Sequence, residues 1–170
     1  MIRGLRSELS KNSHAKSKFI IAFFRLASKT LNWPPLLWPL AKAIQVGYRI
    51  IVDWVMGVDI PIKTKIGEGL IIYHGIALVI NENAIIGKNC ILRHSTTIGN
   101  KIIEGTETLS PIIGDNVEIG AGVCIIGPVN IGDNCVIGVN SVVTKSLPPN
   151  SIAFGSPAKV IRSLDNVQKI

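Results

Sequence analysis

A chain of 170 residues bounds the molecule to one packed domain, or a domain with an extension. Apolar residues make up 47% and aromatics only 5%, which suits a core of stacked aliphatic side chains and excludes an unstructured chain. Residues 1–50 hold nine Lys/Arg against one Glu, and residues 51–170 hold nine against ten Asp/Glu. The net charge of +7 therefore resides in the N-terminal third and points to an anionic surface or ligand there.

Residues 1–18 are polar and basic, and a poorly ordered start is expected; His14 lies in it and is given no role. Phe19–Leu31 is apolar but broken by Arg25 and Lys29. Asn32-Trp33-Pro34-Pro35 then interrupts any helix, because proline lacks a donor and clashes with the preceding turn. Leu36–Met56 resumes a helical pattern. Its uncharged runs fall short of the roughly 18–20 apolar residues that span a bilayer. Residues 1–56 therefore read as a basic, mainly helical extension. It covers the end of the next element, or lies partly on a membrane surface with Trp33 and Trp38 at the interface. No apolar run with a cleavage site follows the basic start, so a cytoplasmic location is expected, at the inner membrane face if the extension docks there.

From Ile60 onward aliphatics recur every six residues: Ile60, Ile66 and Ile72; Ile80, Ile86, Leu92 and Ile98; then Ile113, Ile119, Ile125, Ile131, Ile137 and Val143. Gly114, Gly120, Gly132 and Gly138 each follow one of them. A period of six fits neither a helix nor one long strand. It fits a β-solenoid in which each unit makes one short side and a corner. Three sides give coils of 18 residues, about five in all. Cys90 and Cys135 occupy the repeat's small-residue position; with no CxxC pair and Cys124 left over, they read as core packing in a reducing compartment. The expected fold is an all-β solenoid of parallel hexapeptide repeats over 57–147, with an α-helical extension before it and a Pro/Gly-rich tail, 148–170, that leaves the repeat.

Two irregular steps interrupt the pattern, eight from Ile72 to Ile80 and fifteen from Ile98 to Ile113. Residues beyond the repeat must be extruded, and extruded loops commonly carry function. The second forms a loop over 100–110; the first contains His74. Both His74 and His94 lie two residues after an inward aliphatic, so they point outward from one face of adjacent coils, near the strand spacing of about 4.8 Å. A metal would require a third protein ligand, which no other histidine or carboxylate spacing supplies, so a zinc enzyme of carbonic-anhydrase type is disfavoured and no metal is expected. The alternative is a general base that takes a proton from an acceptor hydroxyl as it attacks an activated acyl group.

The stretches GVDIPIKTKIGEGLIIYHG (57–75), VINENAIIGKNCILRHSTTIGNK (79–101), 112–150 and SIAFGSPAKVIR (151–162) resemble the hexapeptide-repeat acyltransferases, and within them the serine O-acetyltransferase branch. The resemblance implies a left-handed parallel β-helix, a homotrimer with acetyl-CoA as acyl donor between neighbouring subunits, His74 as general base, and Asp59 as the carboxylate that steadies its imidazolium. It also implies that Gly99, Asn100, Ala121 and Val139 meet the CoA arm, that Lys145, Lys159 and Arg162 reach its phosphates, and that Tyr73, His94 and Ser110 face the acceptor. Tyr73 replaces the branch's aspartate before the catalytic histidine, and Leu109-Ser110-Pro111 replaces its Arg-His-Pro. A zwitterionic acceptor needs a charge partner at each end, so these changes argue against serine. A short basic N-terminus followed by VIN-x-N and RH-x-TTIGNK is similar to the acetyltransferases of colanic acid and other exopolysaccharide clusters. That likeness implies a sugar hydroxyl as acceptor, with L-serine as the alternative. The basic extension then suits an anionic membrane face or a lipid-linked glycan. Nucleic acid is not among the expected partners.

Overall fold

The computed structural model describes residues 2–164. Three helices, α1 (Ile2–Lys11), α2 (Ala15–Lys29) and α3 (Trp38–Tyr48), precede the solenoid, and α3 runs on into a π-helical segment, Arg49–Val55. The first coil holds β1 (Val58–Asp59), β2 (Lys65–Ile66) and β3 (Ile71–Tyr73). The second holds β4 (Leu78–Ile80), β5 (Ile85–Ile86) and β6 (Ile91–Arg93). The third begins with β7 (Thr97–Gly99), is interrupted by an exposed hairpin of β8 (Ile102–Ile103) and β9 (Thr106–Glu107), and closes with β10 (Ile112–Ile113) and β11 (Glu118–Ile119). β12 (Cys124–Ile126), β13 (Asn130–Ile131) and β14 (Val136–Ile137) follow, then β15 (Val142–Val143), β16 (Ser151–Phe154) and β17 (Lys159–Ser163).

The strands stack into three parallel sheets: β1-β4-β7-β12-β15, β2-β5-β10-β13, and β3-β6-β11-β14-β16 with β17 antiparallel at the end. The register follows the sixfold pattern. Ile98 sits beside Ile125 and Val143 beyond it, and Ile119 sits between Leu92 and Ile137. Every aliphatic of the six-residue repeat is buried except the half-buried Ile66, and together they form one continuous core. Cys90 and Cys135 are buried in it. The repeat runs one strand past the expected boundary: β16, inside the segment expected to leave it, pairs in parallel with β14. Residues 165–170 of the tail lie outside the described residues.

Corners need backbone that ordinary residues avoid. Asn89, Asn116, Asn134 and Asn150 occupy left-handed conformations at successive turns, and their amides hydrogen-bond in a ladder up the corner at 3.4, 3.1 and 2.9 Å. Asn tolerates that conformation better than most side chains. Gly120 serves a different need: a Cβ there would sit 2.7 Å from the Val139 amide of the next coil.

The start of the chain corrects one expectation. Residues 2–11 are helical because the solenoid's first coil has open sheet edges that must be covered. Glu8 Oε1 accepts from the Leu70 amide at 2.8 Å. Asn12 donates to the Leu70 carbonyl at 3.0 Å and accepts from the Ile72 amide at 2.9 Å. Arg25 donates to the Ile66 and Gly67 carbonyls at 2.7 and 2.5 Å, and the Tyr48 hydroxyl donates to Ile60 O at 2.8 Å. One helical side chain or more thus closes the edge of each sheet. Glu8 and Arg25 also pair with each other at 2.6 Å, which leaves Glu8 buried without an unbalanced charge.

Candidate active site

The site is built on the corner where the third sheet passes to the first. Ile72, Leu92, Ile119 and Ile137 stand in register there. Two positions further, His74, His94, Ala121 and Val139 therefore form a column along the edge of the prism. Backbone bonds tie that column together: Ser95 N to Ile76 O at 3.0 Å, Gly122 N to His94 O at 3.0 Å, and Asn140 N to Ala121 O at 2.8 Å. The two extra residues of the first coil are accommodated by left-handed backbone at His74 (φ 54°) and Ala77 (φ 51°). His74 and His94 are exposed, and their rings lie 6.1 Å apart edge to face, as expected from the repeat.

A third ring joins them. His14, exposed at the start of α2, lies 4.7 Å from the His74 ring at a tilt of 39°. It reaches there because Asn12, two residues earlier, is bonded to β3, and because Ile20 and Ile21 of α2 are buried against the first coil. Gly75 permits that approach: a Cβ on it would lie 2.7 Å from Ile20 Cδ1. His14, expected in a poorly ordered start and given no role, is thus placed against His74 instead. The one signal in the sequence was Glu8, the sole carboxylate of residues 1–50, which marks where the extension is held down. Among the described residues no three His, Cys, Asp or Glu side chains converge as metal ligands.

Tyr73 is half-buried beneath Arg93, whose guanidinium sits 5.4 Å over the phenol ring and pairs with Glu118 at 2.6 Å. The charge next to Tyr73 is thus already neutralised. Asp59 points outward from the first sheet, beside Val79. Among the described residues no hydrogen bond or ion pair joins it to His74. It lines a cleft of about 370 Å³ between the first coil and the helix that carries Lys42, Tyr48, Arg49 and Asp53. Desolvation in that cleft, then the nearby Asp53 carboxylate, push the Asp59 pKa upward, and the Arg49 guanidinium opposes them.

The remaining candidates fall elsewhere on the prism. Asn100 and Lys145 follow Ile98 and Val143 by two positions and so share the opposite edge of the first sheet, with Gly99 beside Ile126 on β7. Ser110 closes the extruded hairpin by donating to Asn81 Oδ1 at 2.8 Å, and Asn81 reaches Asn100, which donates to Glu107 at 3.0 Å. Ser110 is thus part of the loop's root and lies on a different edge from His74; Asn81, which sequence reasoning passed over, is the hub of that root. Lys159 and Arg162 are exposed on β17. One chain brings together His14, His74, His94, Ala121 and Val139, but not the residues on the far edge.

The hexapeptide model of bacterial transferases, six repeats long, matches residues 110–145. A putative colanic acid biosynthesis acetyltransferase, WcaB, of Escherichia coli K12 is 40% identical over 125 residues, 73% of this chain and 74% of that protein. The chain belongs to the hexapeptide-repeat acetyltransferases. It is an O-acetyltransferase, and the activity implies acetyl-CoA as acyl donor. Serine acetyltransferase 2 of Arabidopsis thaliana is 35% identical over 154 residues, 89% of this chain but 45% of that protein. Among solved structures, the Neisseria gonorrhoeae serine acetyltransferase superposes with a TM-score of 0.77 at 28% identity, covering 94% of this chain and 67% of that one. The soybean serine acetyltransferase complexed with serine gives 0.70 at 33%, covering 87% of this chain. This hexapeptide acetyltransferase spans 58% of the soybean chain.

Proposed function

We propose that the protein transfers an acetyl group from acetyl-CoA to a sugar hydroxyl in the assembly of a colanic-acid-type exopolysaccharide. The observation that carries this reading is the set of groups around His74: His14, His94 and a Tyr73 whose neighbouring Arg93 is already paired with Glu118. A neutral, polar acceptor suits such a surface better than a zwitterion, whose carboxylate and ammonium each require a charge partner. The likeness to WcaB over three quarters of both chains supports the same choice.

His74 removes the proton of the acceptor hydroxyl, and the oxygen attacks the thioester carbonyl. The tetrahedral intermediate collapses, the C–S bond breaks, and the departing CoA thiolate takes the proton back from the imidazolium. No bond to the enzyme forms. Asp59 is the carboxylate proposed to steady the imidazolium, although among the described residues of the single chain no hydrogen bond or ion pair joins it to His74. Acetyl-CoA lies in the groove between subunits of a homotrimer, which would join the Ala121–Val139 edge of one subunit to the far edge, with Asn100 and Lys145, of the next. Gly99, Lys159 and Arg162 belong to the same proposed CoA site, and Ser110 to the acceptor side.

The reading includes attachment at the inner membrane face. Leu36 is exposed in the 3-10 turn before α3, and Trp38, Leu40, Trp54 and Val55 are exposed along α3 and its π-helical continuation, with the exposed cations Lys42 and Arg49 among them. Among the described residues no helix is long and apolar enough to cross a membrane. Flotation of the full chain with phosphatidylglycerol vesicles at low salt tests the attachment; a chain that stays at the bottom of the gradient refutes it.

The function is tested by free-thiol release from acetyl-CoA with a panel of sugars and oligosaccharides beside L-serine. Sugar-dependent release that is lost in His74→Ala is expected. Serine-dependent release lost in the same variant would instead establish the second reading, L-serine O-acetyltransferase, which the serine-bound neighbours favour.

A further inference from the structure

We propose that His14 is a positioning residue for His74: its imidazole backs the His74 ring and holds it in the orientation from which the acceptor proton is taken. The inference rests on the reading of His74 as general base. Three observations carry it. The His14 side chain makes no capping hydrogen bond to α2, although it occupies the capping position. It lies instead against His74, with ring centroids 4.7 Å apart. The His74 ring has no hydrogen bond or ion pair among the described residues, so ring packing is what orients it, with His14 on one side and the edge-on His94 at 6.1 Å on the other.

An exposed imidazole on left-handed backbone has rotamer freedom that a reacting group must lose. Contact with a second ring restricts the rotation about its Cβ–Cγ bond. The restriction is only as firm as the backing ring is fixed, and here the backbone beside His14 is held. Asn12 is bonded to both Leu70 and Ile72, Ser17 and Ile20 are buried at the first turns of α2, and Gly75 lets that helix close on the corner. The extension that covers the first coil thereby also supplies a wall of the site, which explains why the α1–α2 junction passes beside the corner that carries the base.

The test uses the full chain and the variants His14→Ala, His14→Phe and His74→Ala. Acetyl-CoA turnover is measured with whichever acceptor supports it, and the rate at which diethylpyrocarbonate modifies His74 is followed by mass spectrometry. His14→Ala is expected to lower kcat by roughly tenfold or more while leaving the KM for acetyl-CoA within about twofold, and to speed modification of His74. His14→Phe, which keeps a ring without its nitrogens, is expected to restore most of the rate and the protection. A kcat within about twofold of the parent in His14→Ala overturns the proposal, as does a His14→Phe variant as slow as His14→Ala. Unchanged modification of His74 in His14→Ala overturns it without any acceptor in hand. Retained activity in His74→Ala would show that the base itself was misassigned, an outcome separate from failure of the His14 contact.

Discussion

Replacing Glu8 by Ala tests how the extension is joined to the solenoid. Glu8 is 2% exposed, and its carboxylate bridges the Leu70 amide at 2.8 Å and the Arg25 guanidinium at 2.6 Å; Arg25 itself is 17% exposed. Removing the carboxylate leaves a buried amide without its acceptor, worth about 1–3 kcal/mol. It also leaves a guanidinium without its counter-charge. Breaking a buried pair on one side costs about 3–5 kcal/mol, but Arg25 keeps the Ile66 and Gly67 carbonyls and some solvent, so the lower end applies. A total of about 4–6 kcal/mol corresponds to a fall in Tm of about 8–24 °C for a chain of this size. Glu8→Gln keeps one acceptor and loses only the charge, so a fall of about half that is expected. The assay is thermal denaturation followed by circular dichroism at equal protomer concentration, since the proposed homotrimer would make Tm depend on it. A change below about 2 °C in Glu8→Ala would refute the claim that this pair clamps the extension to β3.

Gly75→Ala forces a Cβ against Ile20, 2.7 Å away, and strains the corner that carries His74; overpacking of this kind costs about 1–3 kcal/mol, and acetyl transfer is expected to fall with it, read in a turnover assay. Asp59→Asn removes a carboxyl whose pKa is raised in the folded chain. The folded state then holds this proton at pH values where the unfolded chain has lost it, so ionisation of Asp59 lowers stability as pH rises. The variant is therefore expected to melt higher than the parent at neutral pH, with the difference vanishing below the usual carboxylate range; a lower Tm at neutral pH sinks this account. Burial pushes the Cys90 thiol up to about 11 and raises Cys135 as well, so both should resist Ellman's reagent in the native protein at neutral pH and react after unfolding. Rapid reaction of either under native conditions would contradict the packed core.

The hexapeptide period determined most of the fold. A step of six allows one inward aliphatic per side, and Ile98, Ile125 and Val143 or Ile119 and Ile137 could only stack once the chain coiled. The same arithmetic placed His74 and His94 on one face, because an outward position two residues past a buried one repeats with the coil. The interruptions were equally legible, since nine residues beyond a coil have no room inside and emerge as the β8–β9 hairpin. What the period could not carry was anything outside it. Helix α1 looks disordered by composition, and it folds only because β3 offers unpaired backbone groups that Glu8 and Asn12 can reach. His14 comes to His74 across sixty positions of sequence through that docking alone. Asp59 marks the opposite case, a residue at the right spacing whose carboxyl, in the single chain, faces a cleft under the helix and makes no hydrogen bond to the histidine. Spacing along a repeat sets which residues share an edge; contacts between an edge and a docked helix depend on side chains meeting in space, and only the tertiary structure decided those.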